Sequence, residues 1–326
     1  MKIMNSIYSK TNSHWGVEQC VASLRQLRLE SLESRKRLEH PPRLPSRKIL
    51  TGTVDQLGAA LFPHRLGKPD LSAEAVDYFV GHTLAGALND LFQQVRLELI
   101  FKAEQQGLKT ESDIEAEAII HQFTAKLPGI RAVLDTDLQA AYEGDPSASN
   151  IDEVLVCYPG LTAVVHYRLA HALYELGVPL VARIISEIAH SWTGIDIHPG
   201  AQIGNSFFID HGTGVVIGET AILGQHVRLY QAVTLGAKRF TEDENGVLVK
   251  GYPRHPILED NVVVYAGATL LGRITIGAGS VIGGNVWLTH SVPPGSHITQ
   301  AQVHTEQPSK VSPQSSPVEQ QRPELN

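Results

Sequence analysis

The second half of the chain places an aliphatic residue at every sixth position. Three series keep this spacing, and the second is shifted by two residues relative to the first: Ile197, Ile203 and Ile209; Ile217, Leu223, Leu229 and Leu235; and Leu258, Val264, Leu270, Ile276, Ile282 and Leu288. A period of six fits neither a helix nor an ordinary strand. It is typical of a parallel β-helix, in which the aliphatic side chains stack from coil to coil.

The fourth position after each aliphatic residue supports this interpretation, because it too should turn inward. Most of these positions hold small or apolar side chains: Ala201, Phe207, Thr213, Ala221, Val227, Val233, Val262, Ala268, Ile274, Ser280 and Val286. A polar segment interrupts the repeat once, which predicts an extruded loop over residues 237–257. Long loops in compact domains are often functional, and a tolerated surface insertion is the alternative. A Gly-rich β-sandwich with chance spacing is the alternative fold.

The first half of the chain has the 3.6-residue spacing of helices instead. Gly107 supplies a C-terminal stop, and Gly81 is a candidate break within the helix before it. Ser112 to Glu115 resembles a capping box, and Pro128 should end the helix that starts there. The first two predicted helices cover about 21–38 and 71–107. The third covers 112 to just before Pro128, and the fourth continues from there to 144. The last two cover 161–176 and a segment that starts at Pro179.

These patterns predict an α+β protein whose length of 326 residues accommodates two domains. A polar N-terminal arm should cover 1–50 and a helical domain 51–193. The β-helix should cover 194–292. Residues 293–326, which become rich in Ser, Pro, Gln and Glu, should form an extended and largely disordered tail.

Composition narrows the function. The net charge of −7 offers no basic stripe for nucleic acid. Cys20 and Cys157, the two cysteines of the sequence, argue against a disulfide framework and for a reducing compartment. No apolar run approaches the ~18 residues of a membrane span. The first residues lack the features of a signal peptide, so a cytoplasmic protein with no membrane contact is expected.

Polar residues that interrupt the repeat form two clusters. One combines Asp196 to His198 with Asp210 and His211, and the other is Arg254 with His255 at the end of the loop. A histidine oriented by a carboxylate is a general base poised near neutrality. An isolated histidine in a turn is more often simply solvated. The clustering of acids, histidines and an arginine on a fold that needs none of them favours a catalytic site.

The residues of these clusters stand in motifs that resemble the serine O-acetyltransferases. The motifs are IDIHPGAQIG, IDHGTGVVIGET, QAVTLG and RHPIL, preceded by GDPSAS, and the resemblance covers about 134–294. It implies a left-handed β-helix and transfer of the acetyl group of acetyl-CoA to the hydroxyl of L-serine, the first step of cysteine biosynthesis from serine. It further implies a homotrimer, sometimes doubled, with sites between neighbouring β-helices, L-cysteine as a feedback inhibitor, and no metal.

The resemblance also implies residue roles. His211 would be the general base and Asp196 its dyad partner, with direct transfer and no acyl-enzyme. Serine would be held by Asp145, Asp210, Arg254 and His255. The acetyl-CoA groove would include Gly236, Ala266 and Gly284, although small residues at these positions are also ordinary corner residues of the fold.

The chain departs from the family pattern in three places. The loop over 237–253 is longer and more charged than the short Gly-rich version, and Tyr265 stands where glycine is common. The chain ends in Asn326 instead of the isoleucine with which such enzymes bind cysteine synthase. Losing a buried isoleucine side chain removes ~1.5–3 kcal/mol of binding free energy that its apolar burial would contribute. We therefore expect no stable cysteine synthase complex through Asn326.

Three rival functions remain open at this point. A γ-type carbonic anhydrase would use histidines of adjacent subunits as zinc ligands, but its motifs are absent and Arg254 would oppose a metal. The candidate ligands are His198, His211, His226 and His255. A non-catalytic scaffold would make the clusters coincidental. An acyltransferase for a sugar or drug hydroxyl would have no reason to combine Asp145 with Arg254.

Overall fold

A computed structural model describes residues 15–34, 43–68, 70–108, 111–239, 243–244 and 246–300. Within these ranges, seven helices precede fourteen short strands. The helices are α1 (Val17–Ser34), α2 (Arg47–Leu61), α3 (Ala73–Gln106), α4 (Ser112–Gly144), α5 (Ile151–Cys157), α6 (Pro159–Glu175) and α7 (Pro179–Thr193). In the described part of the chain, no helix combines the length and apolar character that a membrane crossing requires.

The strands form three parallel sheets, which are the three faces of the predicted left-handed β-helix. Sheet 1 has the order β1-β4-β7-β10-β13, sheet 2 the order β11-β8-β5-β2, and sheet 3 the order β14-β12-β9-β6-β3. The strands are β1 (Asp196–Ile197), β2 (Gln202–Ile203), β3 (Phe208–Ile209), β4 (Val216–Ile217), β5 (Ile222–Leu223), β6 (Arg228–Leu229), β7 (Thr234–Gly236), β8 (Ile257–Leu258), β9 (Val263–Val264), β10 (Thr269–Leu271), β11 (Thr275–Ile276), β12 (Val281–Ile282), β13 (Trp287–Leu288) and β14 (His297–Ile298).

The two-residue shift in the repeat has a structural origin in the first coil. Asp196 of β1 pairs with Val216, twenty positions further on, whereas Val216 pairs with Thr234 only eighteen further on. The Asp210 N–H bonds to the Leu229 carbonyl, and the Ala232 N–H bonds to the Thr213 carbonyl. The two extra residues between β3 and β4 are therefore 211 and 212.

This insertion corrects one predicted inward position. Thr213 is exposed, and Val215 fills the interior in its place. The other inward positions of the repeat are buried as predicted. The coil also continues past Leu288, because β14 pairs with β12 after the sequence has left the hexapeptide pattern. Backbone pairing therefore extends beyond the segment that the periodicity marks.

Two predicted helices are one, because Pro128 lies inside α4 instead of ending a helix. Proline removes one backbone hydrogen bond and costs about 3 kcal/mol in a helix interior. Apolar side chains on both sides of it, including Phe123, Leu127, Leu134 and Leu138, are buried in the common core and outweigh that cost. The predicted capping box is also wrong, since Glu111 is the N-cap and makes no side-chain capping bond.

The remaining helix boundaries follow the predictions in part. Helix α3 runs without a break past Gly81 and ends at Gly107, which is left-handed as a C-cap should be. Helix α1 begins four residues earlier than predicted, and residues 35–38 of its predicted range lie outside the described residues. No prediction covered α2 or α5. The predicted tail beyond residue 300, with Asn326, lies outside the described residues.

Helices α4 and α6 fasten the helical region to the first coil. Arg168 of α6 makes two hydrogen bonds to the buried Asp137 carboxylate of α4, and its other donors reach the carbonyls of Ile203 and Gly204. The Asp137 carboxylate also accepts from the Phe207 N–H, 2.9 Å away. A buried ion pair needs such additional bonds to offset its desolvation. The C-terminal end of α4 is thereby fixed relative to β3.

Candidate active site

One group of candidate residues lies at the corner where sheet 3 turns into sheet 1, which we call the base corner. Asp210 and His211 follow β3 directly, and His211 Nδ1 lies 3.6 Å from Asp210 Oδ1. A hydrogen bond from Tyr158 is the main cause that lowers the pKa of the carboxyl group of Asp145, at the end of α4, and a charge on His211 also lowers it. Both acids and the histidine are therefore neighbours.

Close backbone packing holds these segments together. A Cβ at Gly144, just before Asp145, would lie 2.8 Å from the Phe208 ring of β3. A Cβ at Gly160, in the first turn of α6, would collide with the Ile209 carbonyl of the same strand. Glycine is required where two backbones approach this closely. The ends of α4 and α6 thus converge on the strand that leads into the base corner.

The two-residue insertion projects His211 from the coil. Its φ of 57° is left-handed, and its side chain is 71% exposed. Gly212, with a φ of 91°, packs against Ile195 in the space that a Cβ would occupy. An extruded imidazole next to an acid can reach a substrate that the coil itself cannot.

The proposed partner of the base, Asp196, has neighbours on helix α7. Its carboxylate groups with Glu187 and His190 of α7, with ligand atoms within 4.8 Å of one another. Among the described residues, no ion pair within 4 Å joins His211 to Asp196. The carboxylate that pairs with the His211 imidazole there is that of Asp210. The structure thus leaves the His211–Asp196 dyad a prediction.

A second group lies at the corner where sheet 1 turns into sheet 2, which we call the arginine corner. The guanidinium of Arg254 donates to Glu219 Oε2 at 2.7 Å, and Tyr174 donates to Glu219 Oε1 at 3.2 Å. Glu219 follows β4, and Arg254 precedes β8 at the end of the long loop. The guanidinium has five N–H donors. Its hydrogen bonds to Glu219 and to the Tyr252 carbonyl therefore leave donors for a ligand carboxylate.

His255 is held as a neutral hydrogen-bond donor in this corner. Burial, together with the charge of Arg254, lowers the pKa of His255 to about 4. Its Nδ1 accepts from the Thr220 N–H at 3.0 Å, so the ring proton resides on Nε2. A Cβ at Gly218 would collide with the imidazole ring, which packs directly on the backbone there. Among the described residues, no hydrogen bond involves Nε2, so its N–H can donate to a ligand.

The three positions assigned to acetyl-CoA divide between the same two corners. Ala266 and Gly284 occupy successive coils beside the base corner, and a Cβ at Gly284 would lie 3.2 Å from the Ala266 carbonyl oxygen. Gly236 ends β7 of sheet 1 and therefore lies at the arginine corner. Among the described residues, no hydrogen bond or ion pair joins the two corners. Within one chain, the candidate residues therefore form two separate groups, one at each edge of sheet 1.

Within one chain, the four histidines of the zinc alternative do not form a group of metal ligands among the described residues, and a site built between subunits is not tested by this geometry. In the described ranges, one group of potential metal ligands occurs, Glu187 with His190 and Asp196. It contains none of the four histidines considered for a carbonic anhydrase. Arg183 already pairs with Glu187 at 2.7 Å and would repel a cation.

Several residues that support these groups are not marked by the sequence patterns. Tyr158 and Ser147 contact Asp145, and Glu219, Thr220 and Tyr174 support Arg254 and His255. Glu219 and Thr220 are visible in the motif IDHGTGVVIGET, but no spacing rule marks them. Tyr158 and Tyr174 lie on helical segments far from the repeat. Their role depends on how the helices dock, which periodicity does not report.

Comparison with known proteins identifies the family. A family model described as bacterial transferase hexapeptide (six repeats) matches residues 255–290. A plasmid serine acetyltransferase of Synechococcus elongatus is 53% identical over 296 residues, 90% of this chain and 93% of the relative. The structure of Entamoeba histolytica serine acetyltransferase isoform 3 in complex with cysteine matches with a TM-score of 0.66 and 33% identity, covering 85% of this chain and 87% of that one.

A further solved relative is Neisseria gonorrhoeae serine acetyltransferase in complex with serine. It matches with a TM-score of 0.50 and 26% identity, covering 78% of this chain and 95% of that one. Of these relatives, the one from Synechococcus elongatus gives the strongest evidence for the family, because its sequence identity extends through the helical region as well as the repeat. The chain belongs to the serine acetyltransferase family.

Proposed function

We propose that this protein transfers the acetyl group of acetyl-CoA to the hydroxyl of L-serine, giving O-acetyl-L-serine and CoA, as the first step of cysteine biosynthesis from serine. The observation that carries the proposal is the pair of corners. Asp145 and Asp210 supply negative charge for an ammonium group beside a candidate base, and Arg254 with His255 supplies donors for a carboxylate. An amino acid that carries a hydroxyl needs these three functions together.

The reaction requires one proton to move twice. His211 removes the proton from the serine hydroxyl while the oxygen attacks the thioester carbonyl carbon of acetyl-CoA. The tetrahedral intermediate then expels the CoA sulfur, and the imidazolium returns the proton to it. Asp196, or Asp210 at 3.6 Å, stabilises the imidazolium. No acyl-enzyme forms, and neither cysteine of the chain takes part.

Recognition of serine uses opposite charges on the two corners. Asp145 and Asp210 bind the ammonium group. Arg254 can clamp the carboxylate through its guanidinium donors, and the Nε2–H of His255 adds a neutral donor. Gly236, Ala266 and Gly284 let the pantetheine arm of acetyl-CoA approach the backbone.

The division of these residues between two corners favours a shared site. In a trimer of triangular coils, the base corner of one chain can face the arginine corner of the next, which is a heterologous contact that closes into a ring. The homotrimer is a proposal, and so is a dimer of two such trimers. The acceptor, acetyl-CoA and the inhibitor would then all bind between two chains.

A thiol-release assay tests the function. Acetyl-CoA is supplied with serine, homoserine, a sugar or no acceptor, and released CoA is measured. Serine should give much the fastest release. Equal release with the sugar, or release that does not depend on acceptor, would contradict the proposal.

L-cysteine should inhibit in competition with serine, because its thiol replaces the hydroxyl while its charged groups match the same corners. The relative from Entamoeba histolytica, solved in complex with cysteine, supports this expectation. Initial rates at several serine and cysteine concentrations measure the pattern. A purely noncompetitive pattern, or no inhibition at millimolar cysteine, would refute it.

A further inference from the structure

The Asp145 carboxylate is held on both sides by neighbouring side chains. Tyr158 donates its hydroxyl to Asp145 Oδ2 at 2.5 Å. Ser147 donates to Oδ1 twice, from its N–H at 2.8 Å and from its hydroxyl at 2.7 Å. The Ser147 bonds are local, two residues along the chain. Tyr158 is the partner that comes from another element.

The position of the Tyr158 hydroxyl is set by backbone packing. Tyr158 is the N-cap residue of α6, and Pro159 begins the helix. Gly160 then lies against the Ile209 carbonyl, one residue before the Asp210–His211 pair. The tyrosine is thereby tied to the same strand end as the candidate base. Its hydroxyl therefore holds the Asp145 carboxylate in a fixed position relative to His211.

We propose that Tyr158 is a positioning residue that makes the site selective for acceptors and inhibitors carrying an ammonium group. It fixes the direction of the Asp145 carboxylate, so that the ammonium group binds where the hydroxyl or thiol on the same molecule meets His211. This inference rests on the proposed function and adds a residue to it.

The chemistry of the contact fits this role. A hydrogen bond to an ionised carboxylate is shorter and stronger than one between neutral groups. The bond from Tyr158 is also the main reason why the pKa of the Asp145 carboxyl group is lowered, because it favours the anionic form. Without the tyrosine hydroxyl, Ser147 would hold only one of the two carboxylate oxygens. The carboxylate could then turn away from the ammonium group.

The test is Tyr158→Phe, which removes the hydroxyl and keeps the ring. Tyr167→Phe is the matched control, because Tyr167 lies on the same helix and loses one hydrogen bond, to the Ala201 carbonyl at 2.7 Å. For the wild type and both variants, KM is measured for serine and for acetyl-CoA, together with kcat. Inhibition is measured with L-cysteine and with 3-mercaptopropionate, which is cysteine without its ammonium group. Thermal unfolding reports whether each variant is folded.

Tyr158→Phe should raise KM for serine and the inhibition constant of cysteine by about tenfold each, as expected for losing a hydrogen bond to a charged group. KM for acetyl-CoA and inhibition by 3-mercaptopropionate should stay within about twofold, a change of less than ~0.5 kcal/mol. Tyr167→Phe should lower the unfolding temperature but leave all these constants near the wild-type values.

Two results would overturn the inference while the wild type still acetylates serine. One is a Tyr158→Phe variant with unchanged constants for serine and cysteine. The other is an equal loss toward 3-mercaptopropionate, which would show a general structural defect. A wild-type protein that does not acetylate serine would instead refute the proposed function itself.

Discussion

The His211→Asn variant is expected to lower kcat about 10²–10⁴-fold, which is the usual contribution of a general base. His211 is the exposed imidazole of the base corner, and asparagine cannot accept the hydroxyl proton. Asparagine is chosen because the backbone here is left-handed, with a φ of 57°, and asparagine tolerates that conformation better than alanine. Steady-state rates with serine and acetyl-CoA measure the effect, and acetyl-CoA binding should be nearly unchanged.

The chain offers a matched control for this substitution. His226 also has a φ of 57° but lies on β-helix surface near Ser206 and Glu143, away from both corners. His226→Asn should therefore keep near-normal kcat. Asp196→Asn should lower kcat less than His211→Asn does, because Asp196 would orient the base without carrying the proton. A His211→Asn enzyme with near-normal kcat would remove His211 from the mechanism.

Two inactive variants should restore activity when they are mixed in one trimer. His211→Asn damages the base corner, and Arg254→Gln damages the arginine corner. If each site uses the base corner of one chain and the arginine corner of the next, random assembly at equal amounts leaves about a quarter of the sites intact. Co-expression of the two variants, followed by rate measurement per site, should therefore recover about a quarter of wild-type activity.

The control for complementation uses two defects in the same corner. His211→Asn mixed with Asp145→Asn should recover nothing, because every base corner then carries one defect. If His211→Asn and Arg254→Gln also fail to complement in mixed trimers, both corners must serve a site within one chain, and the shared-site proposal is wrong.

The repeat was the most predictable part of this protein. Each hexad specifies its own inward side chain, and stacking in register needs only a fixed spacing, so Leu229 and Val264 identify their places without any distant information. The helices were less predictable. Pro128 has a strong local preference to end a helix, and the burial of α4 around it overrides that preference. Local rules fail where tertiary packing supplies more free energy than they do.

The candidate site shows the same division. His211, Asp210, Arg254 and His255 stand out in sequence because charged groups interrupt an aliphatic repeat that has no structural use for them. Glu219 and Tyr158 do not stand out, because one follows a regular hexad and the other lies between two helices. Their importance comes from the partners they contact, Arg254 and Asp145.

The sequence by itself determined the β-helix and the family, because a periodic pattern and contiguous motifs are properties of neighbouring residues. Only the tertiary structure decided that the two-residue shift projects His211 from the coil, and that the candidate residues divide between two corners of sheet 1. Docking of α4 and α6 on β3 likewise decided the support of Asp145. These features depend on contacts between residues far apart in the chain, and their free energy comes from packing that no local pattern encodes.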